Sequence, residues 1–96
     1  MQRNFEMIMF YNYVLQSEKD ESLYKGRTEN LRVRLEQHNQ SKVKSTRAKA
    51  PWRLIYYEAC LKRSDAIRRE RYLKTSQGSR LLKRRLKDYF YEQKDE

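Results

Sequence analysis

Residues 10–26 read FYNYVLQSEKDESLYKG, and the pattern of this stretch decides how the rest of the chain is parsed. Phe10 to Leu15 is aromatic and β-branched, with Tyr11, Tyr13 and Leu15 on one face by period two, which predicts a strand. Glu18 to Glu21 is polar and turns the chain. Ser22 to Gly26 then predicts a partner strand, so the stretch closes as a hairpin.

Downstream, Thr28 is the expected helix N-cap, with Glu29 suited to the first turn of a helix running to about Asn39. Residues 41–50, SKVKSTRAKA, form a basic loop carrying Lys42, Lys44, Arg47 and Lys49, bounded by Pro51. Trp52 to Cys60 predicts a third strand. Ser64 is expected to cap a second helix reaching about Lys74, Thr75 to Ser79 to break it, and a third helix to run to about Tyr91. The order ββαβαα is that of a small, single α+β domain over residues 9–91, with 1–8 and 92–96 expected to be flexible termini.

Composition sets the limits. Ninety-six residues make one domain with a modest core and no second catalytic module. Leu, Ile, Val and Phe together number 19, near the lower edge for a folded chain, but eight Tyr and one Trp add buriable area of about 150–250 Å² each. The apolar run from Met7 to Leu15 is too short to span a bilayer, and with no secretory pattern in view the expectation is cytoplasmic residence without a membrane partner. Cys60 is the one cysteine, which excludes an internal disulfide. With a single histidine it also falls short of the four N/S ligands of a structural zinc site. A metal here must therefore be a hard cation on oxygen.

Lys and Arg number 23 against 13 Asp and Glu, a net charge of +10, and its distribution is uneven. Residues 1–30 are close to neutral, whereas Lys62 to Lys87 alone holds eleven basic side chains against Asp65 and Glu70. A basic face of this density favours a polyanion, nucleic acid above all, as partner.

The helices carry polar groups where apolar ones are expected. Leu31, Arg34, Leu35 and His38 fall on one helical stripe, and Glu70 sits amid Ala66, Ile67 and Leu73 on another. A carboxylate on a buried stripe costs several kcal/mol unless it is paired or ligated, so breaks of this kind tend to mark sites. Each residue also has an ordinary structural role open to it: a strand aromatic, a snorkelled arginine, a helix-end histidine, a salt-bridged glutamate.

Taken together and in order, Tyr11-Asn-Tyr13, Ser22-Leu-Tyr-Lys-Gly-Arg-Thr28, Asn30-Leu-Arg-Val-Arg-Leu35 with His38-Asn39, and Arg63-Ser-Asp-Ala-Ile-Arg-Arg-Glu70 resemble the GIY-YIG endonuclease superfamily. The likeness is to its small stand-alone bacterial members, which resemble the N-terminal nuclease domain of the excinuclease ABC system, and it covers about residues 9–87. It implies a three-stranded antiparallel sheet flanked by helices. It also implies a metal-dependent endonuclease acting on DNA, as in repair or recombination.

Residue by residue, the resemblance makes Tyr11 the tyrosine of the first motif and Tyr24 that of the second. Arg34 matches the helix arginine, His38 a histidine of some members, and Glu70 the ligand of one Mg²⁺ or Mn²⁺ ion. The first motif lacks its glycine, and Lys25 replaces an aliphatic residue; by strand alternation Lys25 should point away from Tyr24.

Such residues suit phosphodiester hydrolysis. Arg34 offers a planar fork to phosphate, a cation at Glu70 a Lewis acid, and either Tyr11 or His38 a proton acceptor for water. Arg27, Lys42, Lys44, Arg47 and Lys49 would hold the backbone without reading sequence. The expected substrate is therefore branched, nicked or damaged duplex, with RNA left open and specificity left to a homodimer or partner protein. The alternative is a basic nucleic-acid-binding module on the same fold that lacks catalysis.

Overall fold

The computed structural model describes residues 8–94. Strand β1 (Phe10–Ser17) and strand β2 (Leu23–Thr28) form the hairpin, and strand β3 (Trp52–Cys60) pairs with the other side of β1. All pairings are antiparallel, in the order β2-β1-β3. Because β1 is central and covered on both faces, Asn12 through Ser17 are all buried, a pattern without the alternation of a half-exposed strand.

Two cores result, one on each face. Tyr13, Leu15 and Trp52 pack with Leu31 and Leu35 of helix α1 (Leu31–Asn39), while Val14 packs with Leu73 of helix α2 (Arg63–Leu73) and Leu82 of helix α3 (Ser76–Arg85). Each such fully buried large side chain contributes about 1.5–3 kcal/mol of transfer free energy. The fold is thus a three-stranded antiparallel sheet between helices, a single α+β domain.

The caps differ from expectation. Thr28 ends β2, where its hydroxyl accepts from the Asn30 N–H at 3.1 Å, and Asn30 caps α1 by accepting from the Val33 N–H at 3.2 Å. Lys62 holds the N-cap position of α2 with no side-chain bond, so Ser64 lies inside the first turn. Thr75 starts a helix where a longer break was expected: its hydroxyl accepts from the Gly78 N–H, and α3 runs from Ser76 with Gly78 tight against the Tyr72 carbonyl.

The expected third helix is two. The chain leaves helical geometry at Leu86, and helix α4 (Lys87–Lys94) follows. From α4, Tyr89 and Gln93 donate to Oε1 of the buried Gln16. Residues 92–94 continue α4, and the remaining expected termini, 1–7 and 95–96, lie outside the described residues. Among the described residues no helix is long and apolar enough to cross a membrane.

Candidate active site

The site forms where β1, β2 and the buried side of α1 meet. Gly26 lies opposite Tyr13 in the β1–β2 register. A Cβ there would stand 2.5 Å from the Tyr13 hydroxyl oxygen and 3.0 Å from a Tyr24 ring carbon. Glycine is therefore required for the two tyrosines to share the space over β2. Their ring centroids are 6.3 Å apart, and that of His38 is 5.8 Å from Tyr13 and 5.1 Å from Tyr24.

His38 has no exposed surface, and both ring nitrogens are engaged: Nε2 lies 2.9 Å from the Tyr13 hydroxyl and Nδ1 2.7 Å from the Thr46 hydroxyl. Thr46 is itself buried, its hydroxyl 3.4 Å from the Val43 carbonyl. Two tautomers satisfy these contacts: where the Thr46 hydrogen goes to Val43, Thr46 Oγ1 accepts from Nδ1–H and Nε2 accepts from the Tyr13 hydroxyl; where it goes to Nδ1, both roles reverse. In the first, the Tyr13 hydrogen points inward and leaves the lone pairs of its oxygen to accept. Burial, with the Arg34 charge behind it, pushes the His38 pKa down to about 4, so the ring is neutral at physiological pH.

Arg34 and Glu70 both act on this hydroxyl. Burial raises the Tyr13 pKa and the Glu70 charge adds to the rise, while the Arg34 guanidinium opposes it by favouring the phenolate. Arg34 is half-buried on α1, its Nη1 donating to Gln37 at 3.0 Å. Glu70 approaches from α2, where Ala66 and Leu73 are buried but its own carboxylate is paired with Arg27 Nε and Lys74 Nζ, each at 3.1 Å.

The strand tyrosine that meets Tyr24, His38 and Arg34 is thus Tyr13. Tyr11, two residues earlier on the same face, packs edge-on against Tyr57 with centroids 5.9 Å apart. Period two places Tyr13 on this face without giving it a role; the pairing of Tyr13 with Gly26 depends on hairpin register, which the residues alone do not specify. Thr46 escapes sequence reasoning for a similar reason, since it lies in an irregular loop whose contacts are tertiary: Trp52 Nε1 donates to its carbonyl at 2.9 Å and its hydroxyl meets His38.

Lys25 points to the opposite face as alternation requires, with Nζ donating to Ser79 Oγ at 2.8 Å. Of the expected phosphate contacts, Lys42, Lys44 and Arg47 carry no ion pair among the described residues, and Lys49 pairs with Asp20 at 3.3 Å. Lys42 and Lys44 are exposed. Arg27 is turned onto Glu70 instead of solvent.

A divalent cation fits Glu70 on limited terms. The carboxylate is a hard oxygen donor with 22% of its side chain open, suited to Mg²⁺ or Mn²⁺. Among the described residues no group of three or more His, Cys, Asp or Glu could add ligands, so water and phosphate oxygens would complete the shell. Arg27 and Lys74 would have to release or share the carboxylate.

Known proteins resemble this chain over most of its length. The profile of the GIY-YIG catalytic domain matches residues 9–83. A UPF0213 protein of Staphylococcus haemolyticus (strain JCSC1435) is 38% identical over 78 residues, covering 80% of this chain and 94% of that protein. One of Clostridium perfringens (strain 13 / Type A) is 43% identical over 67 residues, 69% of this chain and 71% of the relative. The solution NMR structure of a UPF0213 protein from Bacillus halodurans is similar with a TM-score of 0.49 and 30% identity, covering 77% of this chain and 81% of that one.

Proposed function

The chain belongs to the GIY-YIG family of nuclease domains, and on that premise we propose that it is a metal-dependent endonuclease hydrolysing DNA phosphodiester bonds. The observation that carries this reading is the Tyr13 hydroxyl, 2.9 Å from Nε2 of the buried His38 with the Tyr24 ring packed against both.

Each residue then has a task. Arg34 binds a non-bridging phosphate oxygen, its planar fork matched to that geometry. Tyr13, 2% exposed, takes a proton from the attacking water at its oxygen as its own hydrogen passes to the His38 Nε2 it faces. His38 has no exposed surface and acts through Tyr13, taking the hydrogen that the hydroxyl gives up, with Thr46 behind it. Tyr24 packs against both rings and holds their orientation. Bound at Glu70, Mg²⁺ or Mn²⁺ would supply Lewis-acid neutralisation of the phosphoryl charge.

Lys42, Lys44 and Arg47, with the basic helices from Lys62 onward, serve as non-sequence-reading phosphate contacts. This favours structure-selective or nonspecific cutting of branched, nicked or damaged duplex. The test is cleavage of supercoiled plasmid and branched duplexes with Mg²⁺ or Mn²⁺. Tyr13→Phe and Glu70→Gln should each lose about 10²- to 10⁴-fold in rate while DNA binding persists. Binding by the wild type with no cleavage of any substrate would leave a non-catalytic binding module instead.

A further inference from the structure

Tyr57 stands across from Tyr13 in the β1–β3 register, and Ala59 across from Tyr11. Alternation puts these four side chains on one face of the sheet. α1 covers the Leu15 and Trp52 end of that face. Toward the other end Ala59 is exposed, and Tyr57 keeps 53% of its surface open. Its aromatic neighbour Tyr11 meets it at 61°, and an edge-to-face pair engages at most one face of either ring. An open aromatic ring is therefore fixed in place on a strand directly beside the candidate active-site tyrosine.

We propose that Tyr57, braced by Tyr11, is a stacking platform for an unpaired nucleobase next to the phosphate held at Tyr13 and Arg34. The proposal rests on the nuclease reading and narrows its substrate class to DNA with a single-stranded segment at the cut. Scale supports it: Tyr13 and Tyr57 are cross-strand partners on strands about 4.8 Å apart, so the ring stands beside the base that adjoins a phosphate at Tyr13. A base inside a continuous duplex has both faces covered by its neighbours, whereas a flap, overhang or single strand offers a free one. Every base has a π-face, so the platform selects structure without reading sequence. The net charge of +10 supplies the backbone attraction that stacking alone lacks.

The test is binding by the full chain in EDTA, which separates it from cleavage. The probes are a single strand, a 3′ or 5′ overhang and a continuous duplex, each carrying 2-aminopurine and read by anisotropy and fluorescence quenching. Tyr57→Leu keeps bulk without a π-face and should weaken single-strand and overhang binding about 5- to 150-fold, with quenching lost. It should change duplex affinity less than about two-fold, since duplex binding rests on phosphate contacts. Tyr57→Trp should restore both signals. Equal losses on all three probes, no loss on any, or failure of Trp to restore would overturn the platform. These shifts without cleavage in Mg²⁺ or Mn²⁺ would sink the nuclease reading and leave the platform standing.

Discussion

The Tyr13 hydroxyl lies 2.9 Å from Nε2 of His38, 25 residues further along the chain, and this bond joins the central strand to the helix packed over it. Its direction matters more than its length. In the proton arrangement proposed for catalysis the Thr46 hydrogen goes to the Val43 carbonyl, so that Tyr13 donates inward and its oxygen remains free to accept.

Thr46→Val removes the acceptor for Nδ1–H. The imidazole should then favour the Nε2–H tautomer, turning Tyr13 from donor to acceptor and directing its hydrogen outward. ¹⁵N chemical shifts of His38 report the tautomer directly, and cleavage should fall about tenfold or more with DNA affinity unchanged. Thr46→Ser should restore both. A purely structural role would lower stability without moving the tautomer.

Acid should destabilise the fold through the same histidine. In the unfolded chain the imidazole takes its proton near pH 6.5, whereas the folded chain holds His38 at about 4. Between those values the unfolded state binds more protons, so this contribution is present above about pH 6.5 and lost as pH falls to about 4. The shift corresponds to about 3 kcal/mol. His38→Gln should flatten that segment of the stability–pH curve in urea titrations; an unchanged slope would assign acid sensitivity to other groups.

Gly26→Ala places a Cβ 2.5 Å from the Tyr13 hydroxyl oxygen. Overpacking of this kind costs about 1–3 kcal/mol, and here it also displaces the tyrosine pair. Thermal melts should show the loss, and cleavage should drop even well below the melting temperature. Retention of full activity would mean that the two rings tolerate displacement.

Lys25→Met should leave cleavage within about twofold of wild type, since the side chain lies against α3 on the face away from Tyr24. Burial, then Lys74 and Lys83, lowers the Lys25 pKa, so the charge is held unfavourably and its removal should not reduce the melting temperature. A large loss of activity would place Lys25 in the site after all.

Much of this can be read from the residues because it depends on short-range pattern. The alternation over residues 10–15, the polar turn and the run from Trp52 to Cys60 suffice for the strands, and Leu31, Leu35 and His38 share a face by helical geometry alone. Glu70 is identifiable because a carboxylate breaks an apolar stripe; that its partners are Arg27 and Lys74 is not, since Arg27 lies 43 residues away. The cap falls at Asn30 and not at the expected Thr28 because β2 extends two residues beyond Gly26, a matter of pairing with β1.

Residue types and local periodicity determined the sheet, the polar intrusions at Arg34, His38 and Glu70, and the basic charge around them. Which strand tyrosine enters the site was decided only by tertiary structure. Tyr11 and Tyr13 share a face and a chemistry, and period two cannot rank them. Hairpin register sets Tyr13 opposite Gly26, the one glycine of β2, and the packing of α1 brings His38 over it, so Tyr13 acquires a histidine partner while Tyr11 acquires Tyr57.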